Sequence, residues 1–129
     1  MQYLILLGRI LYGGFFFNAG LDHLRKQSMM SPYVAGKGVP AARTAVVLTG
    51  VQLTAGGASV LLGLRPAIGI ALIALFLVPT TFIMHRFWSM TDPQARMMER
   101  VQFFKNTALF GASLMLFALP QPWPFSLGG

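Results

Sequence analysis

The sequence predicts an all-α fold: a polytopic membrane four-helix bundle, antiparallel, with short interfacial helical segments in its two longer loops. Three observations carry that prediction. Four apolar stretches, roughly residues 3–21, 45–64, 66–84 and 101–119, fill a chain of 129 residues, and a bilayer core of about 30 Å needs roughly 20 helical residues to cross it. Hydrophobic residues make up 55% of the chain and charged residues 10%, with a mean hydropathy of +0.64, which leaves little for any soluble catalytic domain. The net charge of +7 is gathered at the ends of the apolar stretches, where cations meet lipid phosphates, so it argues against nucleic acid as a partner. A chain this long makes one domain, here a single membrane domain over residues 1–129.

The first stretch reads LILLGRILYGGFFFNAGLDHL, with Arg9 inside it and Asp22-His23 at its end. No basic segment precedes it and no small-residue cleavage pattern follows, so it is expected to be retained rather than removed as a signal peptide. In the loop beyond it, Ser31 before Pro32 is a cap-and-first-turn pair, which predicts a short interfacial helix from there to Gly36–Gly38. The second stretch, AVVLTGVQLTAGGASVLLGL, places Gln52, Gly56, Ser59 and Gly63 on one side at about 100° per residue. Ala55, Ser59 and Gly63 repeat every fourth position, a spacing of small residues that lets membrane helices approach closely. Gln52 is therefore expected to face a partner helix.

Only Arg65-Pro66 separates the second stretch from the third, which predicts a tight antiparallel hairpin. In the third, Pro79 removes a backbone hydrogen bond and Thr80-Thr81 can serve the freed carbonyls, so a kink is expected there. Asp92-Pro93 is a second cap signal and starts the last helix, about 93–119, outside the membrane. The tail PQPWPFSLGG is an extramembrane end, with Trp123 expected as an interface anchor.

Orientation follows from counting loop cations. Arg25, Lys26, Lys37, Arg43, Arg86, Arg96, Arg100 and Lys105 fall on one side and only Arg65 on the other, which predicts cytoplasmic long loops and both termini in the periplasm. The chain has no cysteine, so it forms no disulfide, thiol redox centre or iron–sulfur ligation of its own.

Two groups of residues carry candidate chemistry. Arg9 is ionisable at membrane depth, which marks a functional position by default, and Gln52 offers it an amide oxygen without a second charge; an Arg9–Gln52 clamp between the first two membrane helices is the expectation. At the inner boundary His85, Asn106, Asn18, His23 and Lys105 bring amide, imidazole and ammonium groups together from three helices. They are candidate ligand-binding residues for the headgroup of a quinone, whose carbonyls need donors and whose tail needs an apolar channel. The helical phase of the first stretch admits Asn18 or His23 to one pocket, but not both. His23 and His85 have no spacing that fixes a haem, the methionines nearby form no Met-x-x-Met repeat, and no metal site or catalytic residue is assigned.

The segments GRILYGGFFFNAGLDHL, AGKGVPAA, LTGVQLTAGGASVLLGLRP, FIMHRFW and FFKNTALFGASLML, in this order and over nearly the whole chain, resemble the DoxX family of small bacterial membrane proteins. The family usually has a glutamate where this chain has Gln52. The resemblance implies a four-helix fold in the bacterial inner membrane and a tie to respiratory or redox assemblies: some members resemble a small subunit of thiosulfate:quinone oxidoreductase, others membrane anchors of an oxidative-stress complex. On that basis the expected function is a non-enzymatic subunit or anchor of a redox or quinone-linked membrane complex, embedded in lipid, with an oxidoreductase partner or as an oligomer. A small transporter or proton-relay protein, and a quinone-binding catalytic subunit, are the alternatives.

Overall fold

The computed structural model of the chain describes residues 1–128, and among them the regular structure is helical. The helices are α1 (Gln2–Arg25), α2 (Gln27–Gly36), α3 (Ala42–Leu62), α4 (Pro66–Met84) and α5 (Pro93–Ala118), with a 3-10 turn at Phe87–Ser89 before the last. Three segments are long and apolar enough to cross a membrane: Gln2–Arg25, Ala42–Leu62 and Pro66–Ser89. α5 is long enough at 26 residues, but Arg96, Glu99, Arg100 and Lys105 dilute its first half.

Local signals explain most of the helix ends. The Asp92 carboxylate accepts from Ala95 N at 2.9 Å and Pro93 occupies the first turn of α5, as their pairing predicts. α3 ends at Gly63, whose φ of 65° lies in the left-handed region that glycine enters at little cost. Leu64 N bonds Ser59 O at 3.0 Å and Gly63 N bonds Val60 O at 3.3 Å, the paired closure that ends many helices. α2 departs from expectation. It begins at Gln27, not at Ser31, and Pro32 lies inside it. The Ser31 hydroxyl turns back to Gln27 O at 2.5 Å, so it serves the helix interior and not its start. In α4, Pro79 leaves Leu75 O without its usual donor, and Thr81 bonds Leu77 O at 2.5 Å instead.

α1 packs most extensively on α3, and their contacts run in opposite numerical order, Gly13 meeting Gly57 and Gly20 meeting Gly50 and Thr54. A Cβ on Gly13 would lie 3.0 Å from Gly57 O, and one on Gly57 would lie 2.7 Å from Gly13 O. Only the absence of side chains there lets the two backbones meet. The opposite side of α3 carries Gly56 and Ser59 against Gly69 and Ile73 of α4. Phe16, Leu53, Val60, Ile70, Ile73 and Leu77 are buried between these three helices, together with Trp123 from the tail.

The Arg9–Gln52 clamp does not form. Gln52 donates to Leu72 O of α4 at 2.7 Å, because the face it shares with Gly56 and Ser59 is the α4 face. Arg9 meets the far end of α3 instead. Its Nε donates to Val60 O at 3.2 Å and its Nη2 to Leu61 O at 2.8 Å. Gln52 lies eight residues before Val60, roughly 12 Å away along the helix. Trp123 also departs from expectation: it is 3% exposed and lies under the Arg9 guanidinium, 5.9 Å from its ring centre, not at a lipid interface.

Arg9 is 1% exposed, and its charge faces carbonyl oxygens. The last carbonyls of a helix lack intrahelical donors and carry its negative end, and Arg9 caps two of them. It also donates to Pro124 O, and to Phe125 O at 3.4 Å, which binds the tail back onto the membrane helices. Leu127 N to Leu62 O at 2.9 Å and Arg65 N to Gly128 O at 3.2 Å complete the attachment.

Candidate functional site

At the other end of α3 the helices spread around a cavity of about 380 Å³, within the size range of small-molecule sites. Phe16, Ala19, Val46, Leu53, Phe76 and Leu77 make its floor apolar. Its polar groups come from four directions: His23 on α1, Thr49 on α3, Thr80 and His85 at the end of α4, and Lys105 with Asn106 on α5. Four of the five residues expected to bind ligand therefore line one space. Asn18 does not; it is exposed on the opposite side of α1 from Gly20, as the either-or phase of His23 and Asn18 requires.

Each polar residue is held differently. His23 Nδ1 is engaged by Thr49 Oγ1 at 3.0 Å and Val46 O at 3.3 Å, both on α3, and its ring meets Phe76 edge-on at 5.8 Å. Lys105 reaches across to α1, its Nζ 5.6 Å from the ring centre of Phe15. Asn106 is 7% exposed, and its amide bonds no other side chain or backbone group among the described residues but stays open to the cavity; the enclosed side-chain polar atom without a partner is Trp123 Nε1, away from this site.

α1 and α5 touch little along their backbones. Side chains bridge the seam: the Tyr12 hydroxyl bonds Ser113 Oγ, and Lys105 lies over Phe15 further along. The cavity lies behind this seam, and α2 covers its end through Met30, Tyr33 and Val34. The two longer loops meet there too, where Arg86 donates to Lys37 O at 3.3 Å.

Two members of the site escaped sequence reasoning. Glu99 accepts from Tyr33 Oη at 3.0 Å and pairs with His85 Nδ1 at 2.8 Å, joining α2, the end of α4 and α5. Glu99 lies ahead of the apolar run that starts at Val101. Burial by itself would raise its carboxyl. The hydrogen bonds of His85 and Tyr33, with the charges of Lys37 and His85, outweigh that and hold it below the ordinary carboxylate value. The Tyr33 hydroxyl is pushed up to about 12 by burial and by its bond to Glu99, so it remains a donor throughout the physiological range. A sequence signal for Glu99 did exist. The chain has three acidic residues; Asp92 is a cap and Asp22 lies one turn from Lys26, to which it pairs at 3.7 Å.

The family model DoxX matches residues 4–86, which run from the start of α1 through the end of α4. The chain belongs to the DoxX family. No curated protein matches it, and no solved structure does. In this DoxX protein the cavity walls from α1 to α4 fall inside the matched residues. Glu99, Lys105 and Asn106 on α5 lie beyond them.

Proposed function

We propose that this DoxX protein is a binding subunit of the bacterial inner membrane, taking the headgroup of a quinone or similar amphiphile into the cavity beside His85 and Asn106. It acts without catalysis of its own, as a subunit or anchor of a redox-linked complex with an oxidoreductase partner. The observation that carries this reading is the polar wall of the cavity: the amide of the buried Asn106 opens on it beside His85 and Lys105, and no carboxylate lines it. Such a wall suits a ligand that accepts hydrogen bonds, and quinone carbonyls do only that. The sparse α1–α5 contact supports entry of the tail from lipid.

Binding of decylubiquinone to the purified protein tests the reading. Asn106→Leu is expected to leave thermal stability little changed, because the amide makes no hydrogen bond within the described residues that the substitution would break. The same substitution should weaken decylubiquinone about 3–10-fold, the loss of one net hydrogen bond. Unchanged affinity in Asn106→Leu would remove the basis for the reading.

In this proposal α5 forms the fourth, antiparallel span from about Val101, with α2 and the first turns of α5 in the cytoplasmic headgroup layer. The termini are periplasmic. The absence of cysteine permits a direct check with an impermeant thiol reagent on intact cells whose outer membrane admits it. Gln121→Cys is expected to label and Ser89→Cys to label only after lysis; the reverse pattern contradicts the orientation.

A further inference from the structure

Glu99 has a place in this site that ligand contact alone does not explain. Its Oε2 holds His85 Nδ1 at 2.8 Å, and its Oε1 accepts from Tyr33 on α2 at 3.0 Å. With Nδ1 engaged, Nε2 is the ring nitrogen of His85 that remains, and it has no partner among the described residues. His85 lines the cavity together with Lys105 and Asn106, while the carboxylate stays behind the imidazole and outside the lining. The polar wall therefore offers a nitrogen base backed by a carboxylate, and beside it the Lys105 ammonium and the Asn106 amide. That set matches a headgroup that gives up a proton and keeps the negative charge.

We propose that the cavity selects an amphiphile with a phenolic hydroxyl, of the hydroquinone class, and holds it as the phenolate. This rests on the reading that the cavity takes an amphiphile headgroup, and it names the form bound. The ligand O–H bond breaks and an N–H bond forms at His85 Nε2. The electron pair stays on the ligand oxygen, and nothing is oxidised or reduced. The imidazolium so formed faces the Glu99 carboxylate, and the phenolate faces Lys105 and Asn106. Glu99 is a positioning residue: it fixes the ring and supplies the counter-charge without entering the cavity.

The charged and titratable surroundings are few. α2 brings Tyr33, with Lys37 just past its end, α1 brings His23, α5 brings Glu99 and Lys105, and Arg86 follows His85 in the chain; α3 and α4 add no titratable group to the lining. An opposite charge within about 4–6 Å moves a titration by one to three units. Lys105, with the His85 proton, is the source of such a shift here.

A nitrophenol bearing a nonyl chain reports the effect directly, because its phenolate absorbs in the visible and its phenol does not. With excess full-length protein in detergent, its absorbance midpoint is expected about one unit or more below that in the same micelles without protein. Decylubiquinone should displace it and return the midpoint to the micelle value. Glu99→Gln keeps an acceptor for Tyr33 but removes the charge; it should retain reporter binding and lose most of the shift. Lys105→Gln should lose it as well, while Asn18→Leu, outside the cavity, should not.

The outcomes separate the two proposals. A reporter that binds, is displaced by decylubiquinone and shows no downward shift overturns the phenolate inference and leaves the quinone reading standing. A shifted reporter that decylubiquinone does not displace supports the phenolic site and overturns the quinone reading. Absence of saturable binding by either compound overturns both. The wild-type measurement decides the main inference even if a variant fails to fold, and a full shift in a folded Glu99→Gln variant removes the role given to Glu99.

Discussion

Arg9→Leu is expected to destabilise the purified protein by about 3–5 kcal/mol, the loss of two charge-assisted hydrogen bonds at about 1.5–3 kcal/mol each. Leucine fills part of the volume but donates nothing. Leu61 O at the end of α3 loses its side-chain donor, Val60 O keeps only the long bond from Gly63 N at 3.3 Å, and Pro124 O and Phe125 O lose the group that holds the tail. Trp123, buried against the guanidinium, loses its cation contact. Arg9→Lys should be intermediate, because a single ammonium keeps the charge at the negative helix end but cannot span four carbonyls as the planar fork does. Unfolding midpoints in detergent give the stability, and cysteine accessibility at Ser126 reports release of the tail. If Arg9→Leu unfolds at the wild-type midpoint with the tail still protected, the capping account is wrong.

Gly57→Ala should cost about 1–3 kcal/mol or more, the range for forcing a methyl into a packed contact. The new methyl would face Phe17 N, and would lie 2.7 Å from Gly13 O. Both obstacles belong to the α1 backbone, which cannot rotate away as a side chain can, so relief means parting α1 from α3. Gly14→Ala is the matched control: its Cβ meets nothing within 4 Å, and it should be near neutral. Equal effects of the two substitutions would show that helix propensity, not close approach, governs this pair.

Membrane character, the helix starts at Pro66 and Pro93 and the candidate inner-end residues were legible in the sequence because each rests on local properties. Span length depends on the hydropathy of consecutive residues. The Asp92-Pro93 cap depends on two neighbours. That Asn18 and His23 could not share one pocket followed from their 500° separation along one helix, which is the 100° step repeated; that His23 is the one inside came from the packing. α2 was misjudged at its start because Ser31 can serve a helix from either position. A hydroxyl that caps the residues after it can equally turn back onto the carbonyl four residues before.

What pairs with what was not legible. The small residues of α3 lie on two faces, one toward α1 and one toward α4, and a single helix does not say which neighbour takes which. Gln52 therefore went to α4, and Arg9 to carbonyls at the helix end and in a tail more than a hundred residues away. Glu99 became part of the site only when α2 and α5 were folded to the same end. By itself the sequence determined that the chain enters a bilayer as apolar helices and where its charges gather, since transfer of a segment into lipid depends on that segment's own side chains. The tertiary structure alone decided the partners of Arg9, the burial of Trp123 and the joining of His85, Glu99 and Tyr33, because a buried polar group is satisfied by whatever the packed backbone brings within hydrogen-bond reach.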